Sequence, residues 1–301
     1  MSYKSIIIGH ITNDVNTDCD GNTEEVAGGA ILYATAVACA LEHEVAAVTK
    51  LPFSQRTRVL ELNVEPSGIF CTECDSACDM ANTYLTPDKE RRNSVCESIG
   101  TPFTIDDIPD DVEADVIYFA GLVHGDFDSE MIIEASDRAA VAVDLQGFMR
   151  HVNDDGTMEL RDWEEKEDVI PYITYLKADA AEAEAITGTA DRYEAAKILY
   201  EWGADEILIT HNSEVLVFDG DEFYTCPIRS RNLSGRTGRG DTTFATYVCE
   251  RQNFDIDEAL LLATATVSLK METPGPFDGT REDIKDYINE FYRDYLDSMD
   301  E

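Results

Sequence analysis

The chain has 301 residues, with 23 Lys+Arg against 62 Asp+Glu and a formal net charge of -39. That length is enough to bury a sizeable core in one large α/β domain or two ordinary ones, and 44% hydrophobic residues exclude intrinsic disorder. The acidic excess argues against nucleic acid and anionic membranes as partners, because phosphate contacts need Lys and Arg, and no apolar run is long enough to cross a bilayer.

In chain order, Met1 to His10 holds too short an apolar stretch for a signal peptide, which points to a cytoplasmic protein. Ser5 to Gly9 is a β-branched run, expected as a buried strand. Gly28-Gly29 opens a small-residue stretch, Ala30 to Leu41, of helical composition, and Glu44 to Thr49 is expected as the next strand. Residues 50–100 break the alternation and are expected to form a small β excursion, a lid. Asp115 to Ala120 and Ala140 to Leu145 are two more buried strands, with a helix from Ser129 to Arg138 between them. Tyr172 to Lys177, Glu206 to Thr210 and Val215 to Phe218 are further strands. Asp191 to Trp202 is an amphipathic helix closed by Gly203. Thr242 to Arg251, Ile256 to Met271 and Glu282 to Leu296 are the remaining helices. Strands alternating with helices predict one α/β domain with a mainly parallel sheet covered on both faces.

Two compositional features leave alternatives open. Eight Lys against fifteen Arg and a pI near 4.2 fit adaptation to high salt, and equally an acidic protein kept soluble by its charge. Cys71, Cys74 and Cys78, with Cys96 further on, have the tight spacing of a metal clamp but lack a second C-x2-C pair, so strand and loop thiols are the other reading.

The residues that carry chemistry fall at strand ends and helix starts, where ligands bind in open α/β sheets. Thr237-Gly238-Arg239-Gly240-Asp241 precedes a helix directly. Its glycines let backbone N–H groups approach a ligand, and the helix dipole aims positive charge at the same place. This suits a transferring phosphoryl group, with Asp241 placed to take a proton from a hydroxyl, unless it merely caps the helix. Gly28-Gly29, before an Ala-rich helix, fits a tight turn and close helix packing. Asn13-Asp14 fits either polyol hydroxyls or an Asx turn. Asp179 to Glu182 reads as a pair of acids for Mg²⁺ or as a helix capping box. Thr210-His211-Asn212 ends another strand.

In this order the pieces resemble the ribokinase-like (PfkB) carbohydrate kinases, from Ile6 to about Pro274. The resemblance implies a three-layer α/β/α fold with a β lid and ATP-dependent phosphorylation of a small polyol or sugar. Asp241 then matches the base that ends the signature D-T-x-G-A-G-D, and Gly238, Arg239 and Gly240 match its anion hole. Asp14, Gly28 and Gly29 match the sugar site, with Asn13 beside them. Asp179 and Glu182 match the family's Mg²⁺-organising N-x-x-E, and Thr210, Asn212, Thr237 and Thr264 fall to the nucleotide.

The chain also departs from the pattern. Gly235-Arg236 replaces the leading D-T, which in the family lies near a monovalent-cation site, so activation by K⁺ is in question. Arg239 replaces the central Ala, Tyr33 the Asn of G-G-x-x-x-N, and Asn212 the Gly of T-x-G. The run Asp144-Leu145-Gln146-Gly147-Phe148-Met149-Arg150 looks like that of the family's myo-inositol kinases, which makes Gln146 and Arg150 substrate contacts. Another sugar, a nucleoside or a non-catalytic binding role are the alternatives, and a homodimer through the lid is compatible with the family.

Overall fold

The computed structural model describes residues 1–86 and 92–299. Its strands are β1 (Ser2–Ile8), β2 (Thr12–Thr17), β3 (Thr23–Gly28), β4 (Val45–Leu51), β5 (Ile69–Glu73), β6 (Asp79–Tyr84), β7 (Arg92–Ser98), β8 (Glu113–Phe119), β9 (Ala140–Asp144), β10 (Arg150–Val152), β11 (Met158–Leu160), β12 (Tyr175–Asp179), β13 (Glu206–Thr210), β14 (Glu214–Phe218) and β15 (Phe223–Pro227). Its helices are α1 (Ala30–Ala40), α2 (Ser129–Ser136), α3 (Gln146–Met149), α4 (Lys166–Val169), α5 (Ala180–Thr187), α6 (Arg192–Glu201), α7 (Arg239–Arg251), α8 (Ile256–Lys270), α9 (Arg281–Phe291) and α10 (Arg293–Met299).

Nine strands form the central sheet, ordered β15-β14-β13-β12-β9-β8-β1-β4-β5. Neighbours from β13 to β5 run parallel, and β14 and β15 add an antiparallel edge. The buried Ile run of β1 explains why its strand is central. Alternation sends Ile7 to one face, against α1, α7, α8 and α9, and Ile6 and Ile8 to the other, against α2, α5 and α6. From β1 the chain builds outward through β4 and β5, then returns to build the other way from β8. That reversal opens a crevice at the carboxyl ends of β1 and β8. Gly9 sits at this point, where an added Cβ would lie 2.6 Å from the Ala120 carbonyl oxygen.

A second sheet, ordered β3-β2-β6-β7, is the lid. It differs from the expected excursion in two ways. β5 belongs to the central sheet, and half of the lid, β2 and β3, comes from a segment read as a turn and a helix approach. The sequence TNDVNT carries no apolar alternation, because one of its faces looks onto a polar cavity. Residues 87–91 of the expected lid lie outside the described residues. The hairpin β10–β11 and the edge strand β15 were also not predicted. The expected last helix breaks at Tyr292, which is fully buried and joined to Ser268 by a 2.8 Å hydroxyl pair. No helix among the described residues is long and apolar enough to cross a membrane.

Candidate active site

Gly238 is the N-cap of α7, at φ 76. A Cβ there would overlap the Tyr33 ring, so only glycine both adopts this left-handed turn and fits. Asp241 therefore falls in the first turn and is not the cap. The N–H groups of Gly240 and Asp241, in the first turn, have no backbone acceptor within the helix and carry its positive dipole end. A Cβ on Gly240 would lie 3.3 Å from Lys177 Nζ, so the bare glycine lets an ammonium adjoin the anion hole.

Lys177 lies in the middle of β12 and is 3% exposed. Its Nζ donates to Asp144 Oδ1 at 3.0 Å and to Glu182 Oε2 at 3.4 Å. Burial alone would lower its pKa, but Asp144, Glu182 and Asp179 outweigh that and hold it charged. Burial pushes the Asp144 carboxyl up, against the pull of Lys177. Burial likewise pushes Asp241 up, against Lys177, Arg150 and Lys270. A raised carboxyl is a better proton acceptor, which is what a base needs.

Three cavities meet at this point, and Thr237 lines all of them. The first, of about 250 Å³, has four cations, Arg150, Lys177, Arg236 and Arg239, against the carboxylates of Asp179 and Asp241. The second, of about 90 Å³, lies beneath the lid on the other side of Asp241 and presents Thr12, Asp14, Asn82, Ser94, Gln146 and Arg150. The third, of about 460 Å³, continues outward past Tyr33 and Tyr84.

Most of the expected residues converge here. Asp14, Gly29, Tyr33, Gln146 and Arg150 line the lid-side cavity, and Thr210, Asp179, Arg239 and Gly240 the cationic one. Gly28 acts indirectly: a Cβ on it would lie 2.5 Å from the Asp14 carboxylate, so its bareness seats that side chain. Gly29, at φ 99, cannot carry a Cβ without overlapping the His10 carbonyl oxygen. Asn212 lies outside the cavity lining and instead accepts from Arg236 at 3.2 Å and Arg239 at 2.7 Å, holding two guanidiniums side by side.

Three expectations need correction. Asn13 does not line the site, because strand alternation between Thr12 and Asp14 turns it to the other face of the lid. Thr264 is fully buried within α8, with its carbonyl accepting from Ser268 at 2.7 Å, and it lines none of the three cavities. Asp179 and Glu182 form a capping box: Asp179 Oδ1 accepts from Glu182 N at 2.8 Å and Glu182 Oε2 from Asp179 N at 2.7 Å. Glu182 is 1% exposed behind Lys177, so of the two only Asp179 faces the cavity.

Among the described residues no three His, Cys, Asp or Glu side chains cluster as a metal site, the cysteine group included. Sequence reasoning missed Lys177 and the lid residues Asn82, Ser94 and Tyr84. A lysine inside the buried run Tyr175–Asp179 was the available signal, since a lone charge there needs partners.

The fold is that of the ribokinase-like kinases. A solved structure of a pyrophosphate-dependent kinase of the ribokinase family, complexed with a pyrophosphate analogue and myo-inositol, superposes with a TM-score of 0.82 at 31% identity, covering 94% of this chain and 99% of that one. Another, of a pyrophosphate-dependent myo-inositol-1 kinase converted into a myo-inositol-3 kinase by exchanging an asparagine and a serine for leucine, matches at TM-score 0.82 and 31% identity over 96% and 99% of the two chains. The pfkB family carbohydrate kinase model matches residues 3–282, and the chain belongs to that family. A cytidine kinase of Thermococcus kodakarensis is 36% identical over 77 residues, a stretch that is 25% of this chain and 28% of that enzyme.

Proposed function

We propose that the protein transfers a phosphoryl group from a polyphosphate donor to a hydroxyl of a small cyclic polyol, with myo-inositol the best fit. The observation that carries this reading is the position of Asp241 between a lid-side cavity that offers hydroxyls, amides, Asp14 and Arg150 and a cavity of four cations that shares Arg150 with it. The acceptor hydroxyl gives its proton to Asp241 as its oxygen attacks the terminal phosphorus, and the bond from that phosphorus to the bridging oxygen breaks, releasing orthophosphate from pyrophosphate or ADP from ATP. The N–H groups of Gly240 and Asp241, with Lys177 and Arg239, meet the charge that spreads over the transferring oxygens. The inositol assignment draws on the relatives of known substrate and on an asparagine–serine pair under this lid. Ser94 Oγ donates to Asn82 Oδ1 at 2.6 Å, and both side chains line the acceptor cavity.

Magnesium fits as an ion that enters with the donor. Asp179 is the open carboxylate that would hold it, and the ion would neutralise phosphate charge. The family resemblance implies ATP as donor. The lining of the cationic cavity favours pyrophosphate: its residues are basic, acidic, small or amide, with no large apolar side chain to receive a purine. A donor panel tests both levels. With myo-inositol as acceptor, pyrophosphate is expected to give a kcat/KM at least tenfold above ATP. A preference for ATP overturns the donor assignment alone. No phosphorylation of any polyol, sugar or nucleoside with either donor overturns the kinase reading.

A further inference from the structure

Lys270 ends α8 and is 1% exposed. Its Nζ donates to the carbonyl oxygen of Gly235 at 2.6 Å and to that of Thr237, and it lies 5.1 Å from the centroid of the Tyr33 ring. None of its hydrogen bonds goes to a carboxylate among the described residues. Asp241 of α7 is the charged group that faces it, and Tyr33 of α1 is the titratable one. A buried ammonium without a salt-bridge partner is costly, so it persists where oriented dipoles replace its water. Here those dipoles are two carbonyls from the segment that runs directly into the anion hole.

Carbonyl oxygens converging on one point repel one another unless a cation stands between them, and they are the ligand type a potassium ion uses. The family pattern puts a monovalent cation near the first signature position. That cation does not fit here. The position is Gly235, where any Cβ would overlap the Thr273 carbonyl oxygen, so no carboxylate side chain can occupy it. The Gly235 N–H is itself bound to the Met271 carbonyl at 2.8 Å, which fastens the segment to the end of α8.

We propose that Lys270 is a tethered cation that fixes the Gly235–Thr237 segment, and through it the anion hole at Gly238–Asp241, so that turnover needs no monovalent metal ion. The proposal rests on the phosphoryl-transfer reading of the same site. Lys270 is a positioning residue. It acts through Thr237, which lines the donor and acceptor cavities, and through Tyr33, on whose ring Gly238 rests. Burial lowers its pKa to about 8, with Asp241 opposing. The charge is therefore present at neutral pH and lost as pH rises through about 8, and kcat is expected to fall there.

The test uses the whole protein with pyrophosphate and ATP as donors and myo-inositol as acceptor, in tetramethylammonium, sodium or potassium at matched ionic strength. Wild-type kcat is expected to stay within twofold across the series. Activation by potassium of more than about fivefold overturns the proposal. Lys270→Met is expected to lose at least tenfold in kcat and to raise the donor KM, with the myo-inositol KM within twofold. Methylamine should restore part of that kcat while leaving wild type unchanged. An unimpaired or wholly unrescued Met variant that is folded counts against a cationic role. If that variant does not fold, the wild-type cation series and the alkaline limb decide. If wild type turns over no acceptor, the kinase reading falls instead, and calorimetric binding of pyrophosphate decides this one: binding unchanged by potassium supports it, and binding strengthened by potassium overturns it.

Discussion

On the donor side of Asp241 the walls are the carboxyl ends of β12 and β13 and the first turn of α7. On the acceptor side they are the lid strands β2, β6 and β7 and the short helix α3. The donor wall gathers four basic side chains in a protein whose net charge is -39, so a phosphate meets cations there that the acidic surface elsewhere does not offer. The acceptor wall carries amides and hydroxyls, beside Asp14 and Arg150, and some of them bond to one another: Asn82 donates to Asn16 at 3.1 Å and accepts from Ser94. On the proposed reading, one side recognises the charge of the donor and the other the hydroxyls of the acceptor. Substitutions should therefore separate donor from acceptor kinetics, and Asp241 alone should damage their joint product.

The largest effect is expected at Asp241. Asp241→Asn keeps size and the helix start but removes the proton acceptor, so kcat should drop by roughly 10²–10⁴ with both KM values within several-fold. The acid limb of the pH profile, set above the ordinary carboxylate range by burial, should vanish with it. A variant turning over within threefold of wild type would show that Asp241 is not the base. Next is Arg239→Gln. Losing a charged hydrogen-bond donor costs about 1.5–3 kcal/mol, a donor KM raised about 10–100-fold, with the acceptor KM unchanged. A shift in the acceptor KM instead would break the division of the site. Gln146→Ala removes a neutral contact worth on the order of 1 kcal/mol, so steady-state kinetics should show the acceptor KM raised roughly fivefold. Thr264→Val should leave all kinetic constants unchanged, since the side chain lies inside α8; a changed ATP KM would restore it to the nucleotide.

The same division explains what the sequence revealed. The anion-hole part of the donor side is a run of glycines, an aspartate and a helix start, so Gly238 to Asp241 stood out within five adjacent residues, although only the order of the motifs along the chain raised it above a plain helix cap. The central strands were equally plain, because a parallel sheet buried on both faces is written as continuous apolar runs such as Ile6 to Ile8. The lid was not. Its strands are polar on the face that meets the ligand, so Thr12 to Thr17 has neither a run nor an alternation, and Asn13 could not be set apart from Asp14 without knowing that both lie in a strand. Glu182 shows a different limit. One D-x-x-E pattern can serve a metal or a cap, and the buried Lys177 that holds Glu182 away from the cavity pairs with it only in three dimensions.

The contact between Tyr84 Oη on the lid and Thr237 Oγ1, at 3.4 Å, has a consequence for wasted turnover. Water is a small nucleophile always present at far higher concentration than any polyol, and Asp241 could deprotonate it as readily. Because the lid strand touches the loop that leads into the anion hole, the arrangement that receives a phosphoryl group and the arrangement that shuts out solvent form together. Tyr84→Phe should loosen that link, and it should appear as an increased ratio of phosphate released to polyol phosphorylated, counted in the same reaction.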